Sequence, residues 1–314
     1  MINKQFTEVK HTILYCFDEN YNNQAFSSII SLLDCIDEKI NILIIHNKNL
    51  PIDDLPGIIT NHKNLNSIEV KKFKDLNYNF PNLEDSHISV ATYFRLFIEN
   101  YISKDLSCIT YIDADTIFVE NPLQKISETT DKLLKSNYVI AARTEKILEE
   151  SKVEDVFLRL KLDSTYFNAG ILVIDLKKWR DNKLTKKLTE KMDAIQKDIL
   201  HWDQDVLNSY FNGEYLELDK ILNFDAFESD RYPENLKILH FIGSKKPWYL
   251  SGMFNKGSEY YHQNYSKFSK NRYHIVHIWK ISSLIDFFKG FVTLKIFKLK
   301  NPYLFIKSFV NSFK

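Results

Sequence analysis

The stretch YIDADTIFVENP (111–122) drives an apolar run into two carboxylates, Asp113 and Asp115, separated by one small residue. Residues i and i+2 of an extended backbone project to the same side, so the two carboxylates can converge on one cation. Oxygen ligands of this kind favour manganese or magnesium. The same letters also fit a turn opened by Asp113 with a solvated Asp115, and the spacing recurs at Asp203 and Asp205. A second group, HFIGSKKPW (240–248), gathers an imidazole, a glycine, two amines and an indole. His240 can serve as a third manganese ligand, Gly243 lets backbone N–H groups approach an anion, and Lys245 or Lys246 can neutralise phosphate. These are the parts of a diphosphate clamp. The competing interpretation is a structural His240 and a surface Lys246.

Alternating strands and helices must position these groups. TILYCF (12–17), INILIIH (40–46) and CITYI (108–112) are short apolar runs, and Ala25 to Ile36 and Ser89 to Asn100 carry helical spacing. Apolar strands separated by helices predict an α/β chain with a largely parallel sheet covered on both faces. Such sheets bind ligands beyond the carboxyl ends of their strands, where Asp113, Asp115 and the segment Asp18 to Asn20 fall.

The chain of 314 residues, 44% hydrophobic, is long enough for one large α/β core. With 42 basic and 41 acidic residues, no overall field points to nucleic acid. Cys16, Cys35 and Cys108 form no CxxC pair, which suggests free thiols in a reducing compartment. The first residues show no signal-peptide pattern, and 18 uncharged apolar residues never run together. The expectation is a cytoplasmic protein without a membrane span.

Six ordered stretches resemble glycosyltransferase family 8, in particular its bacterial lipooligosaccharide galactosyltransferases. They are FDENY (17–21), HISVATYFRL (87–96), YIDAD (111–115), YFNAGILVIDLKKWR (166–180), DQDVLN (203–208) and HFIGSKKPW. The resemblance implies a nucleotide-diphospho-sugar transferase (GT-A type) fold with a mixed, mainly parallel sheet, its catalytic domain spanning residues 1–265. It implies manganese, with magnesium as the alternative, held by Asp113, Asp115 and His240 and bridging the phosphates of a UDP-hexose. It further implies that Asp18, Asn20 and Ala114 meet the nucleoside, that Gly243 and Lys246 assist the diphosphate, and that Arg95, Asn168, Asp203 and Gln204 surround the donor sugar. By the same resemblance His87 contacts the acceptor, and the anomeric configuration is retained. Gln204 and Asp203 are the candidate catalytic residues. An amide is a poor nucleophile, so front-face attack is expected, with Asp203 as a covalent nucleophile the lesser alternative. Around AARTEKILEE (141–150) the family's acceptor-side acid has no aligned counterpart, since Glu145 is offset.

Residues 266–314 are expected to form a basic amphipathic helical tail. From Trp279 to Lys314 there are seven lysines and one aspartate, a surplus of six positives that leaves −5 on the first 278 residues. Leu284, Phe287, Phe288, Phe291 and Val292 recur at helical spacing. Such a segment suits an anionic membrane surface at the inner face of the cytoplasmic membrane, near a lipid-linked oligosaccharide acceptor. Packing on the catalytic domain or on another subunit is the alternative. A metal-dependent phosphohydrolase or nucleotidyltransferase, and a noncatalytic nucleotide-sugar binder, are the competing functions.

Overall fold

A computed structural model describes residues 9–74, 78–81, 89–149, 151, 153–229 and 231–314. The strands in chain order are β1 (Thr12–Phe17), β2 (Ile40–His46), β3 (Leu65–Lys72), β4 (Cys108–Ile112), β5 (Thr116–Phe118), β6 (Ile140–Ile147), β7 (Thr165–Asp175), β8 (Leu216–Glu217), β9 (Phe224–Asp225) and β10 (Ile238–His240). The larger sheet has the order β3-β2-β1-β4-β7-β6-β8, and a smaller one has the order β5-β10-β9. β1 pairs parallel with β2 and β4, and β2 with β3, whereas β7 runs antiparallel to both β4 and β6. The sheet is therefore mixed, with the parallel strands β3, β2, β1 and β4 adjacent at one side. Three apolar runs read from the sequence are strands with the expected limits because each is buried on both faces, and such strands need no alternation.

The helix Asn22–Cys35 fixes the small sheet against the large one. Besides its apolar residues it buries Ser27, Ser28 and Ser31. Ser28 Oγ lies 3.1 Å from Tyr15 Oη on β1 and 2.9 Å from Thr116 Oγ1 on β5, and Ser31 Oγ accepts the Phe118 N–H at 3.0 Å. Polar atoms buried here are thus paired across two sheets, which sets the depth at which Asp115 leaves the fold. The helix read at Ser89 to Asn100 is present as the 3₁₀ helix Val90–Asn100, and Tyr93, Phe94, Arg95, Leu96, Phe97 and Ile98 are all buried in it. An element enclosed on every side takes its winding from the packing.

The C-terminal region forms the helices Lys280–Val292 and Pro302–Asn311, joined through the turn Ile296–Lys298. Phe287 stacks on Phe309 with centroids 4.2 Å apart, and Phe254 meets Phe305 edge-on. Met253, Tyr273, Ile296 and Phe305 make the small core beneath. The exposed stripe differs from the one read in the sequence. Phe287 turns inward, while Ile281, Leu284, Ile285, Phe288, Phe291 and Val292 face solvent. Ser283 and Gly290 face the protein. Aromatic stacking on Phe305 and Phe309 takes the inner position, and the close approach at Gly290 requires a residue without a side chain, since an added Cβ would meet Phe254 at 2.8 Å. Among the described residues no helix is long and apolar enough to cross a membrane.

Candidate active site

Asp113 and Asp115 lie in the turn between β4 and β5, at the carboxyl edge of the large sheet. In the small sheet His240 pairs with Thr116, which brings its imidazole beside the carboxylates. One ligand atom from each of Asp113, Asp115 and His240 lies within 4.8 Å of the others. His240 Nε2 is 3.3 Å from Asp115 Oδ1 and 3.8 Å from Asp113 Oδ2.

A hydrogen-bond chain decides which nitrogen of His240 carries the proton. The Gly170 N–H donates to Asn168 Oδ1 at 3.0 Å, so that oxygen is an acceptor. Asn223 Nδ2 donates to the same oxygen at 3.0 Å, and Asn223 Oδ1 is thereby turned toward His240 Nδ1, 2.9 Å away. A carbonyl oxygen only accepts, so Nδ1 holds the proton and Nε2 presents a lone pair to the carboxylates. The far carboxylate oxygens are already engaged. Asp113 Oδ1 accepts from Arg95 Nη2 at 2.9 Å and from the Tyr111 hydroxyl, and Asp115 Oδ2 accepts from Lys246 Nζ at 2.5 Å. Three electron-pair donors thus converge with no proton among them. That arrangement fits a divalent cation with mixed oxygen and imidazole ligands. Burial opposes ionisation of Asp115, but Lys246 and His240 together more than offset it and hold that carboxyl well below the usual range.

Two cavities meet at this edge. One, of about 490 Å³, is bordered by Asp18, Tyr21, Ser89, Tyr111 and Ala114. The other, of about 1290 Å³, is bordered by Glu145, Tyr166, Trp202, Gln204, Gly243 and Lys246. Arg95, Asp113 and Asp115 line both. Asp18 is buried and caps the turn after β1, accepting the Asn20 N–H, while Asn20 itself is exposed and donates its amide to Asp18 at 3.3 Å. Gly243 has φ +77 with open space around it, a left-handed backbone that a side chain would strain.

Arg95 is buried and holds the two sides together. Its guanidinium reaches Asp113, the Ala169 carbonyl and Asp203, with Nε 2.8 Å from Asp203 Oδ2, and it lies over the Tyr111 ring at 4.1 Å. Asp203 lies in the first turn of the helix Trp202–Phe211, which has no side-chain cap. It also accepts from Thr92, and burial, only partly offset by Arg95, pushes its carboxyl up to about 6. Gln204 is fixed at both ends: its Oε1 accepts the Ala169 N–H at 3.0 Å and its Nε2 donates to the Tyr166 hydroxyl at 3.0 Å. Tyr166 in turn donates to Asp205, which also accepts from Arg159 and from the Leu200 and His201 N–H groups.

Asn168 lies inside β7, and its amide is engaged by Glu145, Gly170 and Asn223. His87 lies outside the described residues. Reading the sequence missed Asn223, Tyr166, Thr92 and Gly170. Gly170 packs against the imidazole so closely that a Cβ there would lie 2.1 Å from His240 Cε1. Tyr111 was open to inference, since it alternates with Asp113 and Asp115. Asn223 gave no signal, because its partners come from β7 and β10.

Compared with known families, residues 12–251 match Glycosyl transferase family 8. The chain belongs to that family. It is accordingly a glycosyltransferase, and the edge just described is its candidate active site. General stress protein A of Bacillus subtilis is 26% identical over 293 residues, covering 83% of this chain and 96% of that protein. Lipopolysaccharide 1,3-galactosyltransferase of Salmonella typhimurium is 32% identical over 176 residues, about half of each chain. Among solved structures, the galactosyltransferase LgtC, in complex with donor and acceptor sugar analogues, superposes with a TM-score of 0.67 at 22% identity. It covers 87% of this family-8 chain and 99% of its own. That likeness establishes the GT-A fold.

Proposed function

We propose that this glycosyltransferase moves galactose or glucose from a UDP-sugar to a sugar hydroxyl of a cell-surface glycan such as lipooligosaccharide, with retention, forming an α-glycoside. The observation that carries the reading is the convergence of Asp113, Asp115 and unprotonated His240 Nε2 at the boundary of two cavities. Manganese, or magnesium, held by those three residues would offset the charge developing on the departing diphosphate. Lys246 stands beside the same edge and, with the backbone at Gly243, serves the diphosphate. Asp18, Asn20 and Ala114 serve the nucleoside; Arg95, Asn168, Asp203 and Gln204 serve the hexose, and His87 the acceptor.

In the proposed step the acceptor oxygen bonds to the anomeric carbon on the face from which the phosphate leaves. The bond to the phosphate oxygen breaks, and the acceptor proton passes to that oxygen. Asp203 is tied to Arg95 and Thr92, and Gln204 is held by both ends of its amide, which favours this front-face course over a covalent intermediate. Orientation and fixed charge then carry most of the rate. The galactosyltransferase name of the Salmonella relative supports hexose and glycan as substrates.

We assign residues 1–265 to catalysis and 266–314 to attachment at an anionic membrane surface, near a lipid-linked acceptor. The solvent-facing Ile281, Ile285, Phe288 and Val292 support attachment. Incubation with UDP-galactose, UDP-glucose, UDP-GlcNAc or GDP-mannose, with manganese and then with a chelator, tests the activity. A UDP-hexose consumed only with the metal, giving an α-linked product, is expected. Preference for the GDP donor or indifference to the chelator would overturn the reading. Phosphate release without sugar transfer would indicate the phosphohydrolase alternative, and binding without turnover the noncatalytic one.

A further inference from the structure

Beyond the family-matched residues 12–251, an open cleft of about 490 Å³ lies where the segment following the helix Ser258–Tyr265 meets the helix Pro302–Asn311. Lys270, Arg272 and Lys307 line it with the hydroxyls of Ser266, Ser269 and Ser308, and no carboxylate is among its lining residues. Arg272 is held in place by Glu259 and by Ser266 Oγ at 3.3 Å. Lys270 and Lys307 pair with no carboxylate among the described residues. Ser308 is buried, and its oxygen accepts the Tyr273 N–H at 3.4 Å; Ser269 likewise accepts the Asn271 N–H at 3.2 Å. These two oxygens act there as acceptors, so Ser269 and Ser308 keep a proton to donate, whereas Ser266 gives its own to Gln263 O at 2.8 Å.

Unpaired amines facing hydroxyl donors, without a competing carboxylate, form a site for a compact oxyanion with several acceptor oxygens, which is the chemistry of phosphate. Lys307 also lies one helical turn from Tyr303 and from Val310, which are 76% and 56% exposed. The cleft therefore borders a pair of exposed apolar side chains on its own helix.

We propose that this cleft seats the phosphate of an anionic lipid headgroup while the apolar stripes enter the bilayer surface. The assignment rests on the reading of residues 266–314 as a membrane attachment. It adds to that reading a preference for one kind of charge, where an unstructured basic tail would respond to charge density alone.

The test compares the full chain on phosphatidylcholine vesicles made anionic with phosphatidylglycerol or, at equal charge density, with oleate. Binding about tenfold tighter to the phosphatidylglycerol vesicles, whose anionic phosphate has no choline cation to neutralise it, is expected. In K270Q/K307Q that ratio should fall within twofold. K295Q/K298Q, which removes the same charge away from the cleft, should weaken both vesicle types alike and preserve the ratio. A wild-type ratio within twofold, or a ratio that survives K270Q/K307Q, overturns the cleft assignment and leaves attachment intact. Wild-type protein that binds neither vesicle overturns attachment and the cleft together. Inorganic phosphate is the remaining arm. If it raised the melting temperature as much as the vesicles did, and only while Lys270 and Lys307 were present, free phosphate would be the occupant and the lipid source would be overturned.

Discussion

The carboxylate edge and the C-terminal helices depart from ordinary folding in opposite ways. At the edge, charged groups are buried: Arg95, Asp203, His240 and Lys246 are each less than a tenth exposed. At the C-terminus, Ile281 and Val292 are more than two-thirds exposed, while Ser283 and Gly290 are enclosed. Neither arrangement is what burial of apolar surface alone would select. Each becomes favourable once something absent from the isolated chain is supplied, a cation between lone pairs in one case and an apolar boundary in the other. Local rules fail at these two places, and both are places where binding is proposed.

The comparison breaks most completely if one carboxylate loses its charge. Asp115→Asn keeps the shape of the turn but removes an anionic donor from the converging set. Transfer should fall about 10³-fold, because several kcal/mol of charge stabilisation is at stake and each 1.4 kcal/mol is a factor of ten. Vesicle binding should be unchanged. Measuring both on one preparation checks the claim, and a parallel loss of vesicle binding would show that the two regions are not independent.

Asn223→Ala sharpens it further by leaving all three ligands in place. Without the Asn223 carbonyl, His240 Nδ1 loses its hydrogen-bond acceptor and the imidazole loses its fixed tautomer. Manganese affinity, read by calorimetry, should weaken about 10–100-fold, as outer partners of metal ligands commonly produce. An unchanged affinity would mean that Gly170 packing alone orients the ring.

At the other region Phe288→Ser should weaken vesicle binding about tenfold, since part of one aromatic side chain's transfer free energy is lost. Its melting temperature should hardly move, because the side chain is 63% exposed. Phe305→Ala is the contrast: Phe305 is fully buried, so stability should fall by about 3–5 kcal/mol. Equal effects of the two on melting would contradict the inside-out arrangement.

How much of this was legible beforehand follows from what each feature depends on. β1, β2 and β4 were readable because strands buried on both faces are continuous apolar runs, and Asp113 and Asp115 were readable because they end one of them. The approach of His240 was not readable from spacing. It depends on β5 and β10, each three residues long, too short for a periodic signal. Asparagine favours turns, yet tertiary partners hold Asn168 within a strand, a placement that no local preference of the residue signals. The helical spacing of the tail was visible, but its rotation was not. Phe287 and Phe288 are equivalent as letters, and only the stack on Phe309 decides which turns inward.

A third region, between the other two, supplies the smallest effect and a control. His262 is buried, His274 is half-buried, and both are neutral. Pro247 O takes the proton on His262 Nε2 and the His274 N–H meets Nδ1, while the Tyr261 hydroxyl lies 2.6 Å from His274 Nδ1. Burial depresses them to about 3 and about 4, far below the 6.5 of an unfolded chain. The unfolded state therefore takes up protons first, so the stability these groups provide is complete above pH 6.5 and is lost on acidification toward the folded values. Between pH 7 and 6 the loss is about 0.7 kcal/mol per imidazole, and it depends little on how deep the depression is, because both folded values lie well below that window. A fall of a few degrees in melting temperature is expected. Hydrogen exchange should quicken first around residues 258–274. Unlike the carboxylate edge and the exposed stripe, this cluster is not a proposed ligand site, so manganese or vesicles should shift the melting temperature by a constant amount and leave its fall between pH 7 and 6 unchanged. If manganese abolished the pH dependence itself, the acid sensitivity would lie at a ligand site and not at these two imidazoles, and the distinction between a self-sufficient buried cluster and one completed by a ligand would be lost.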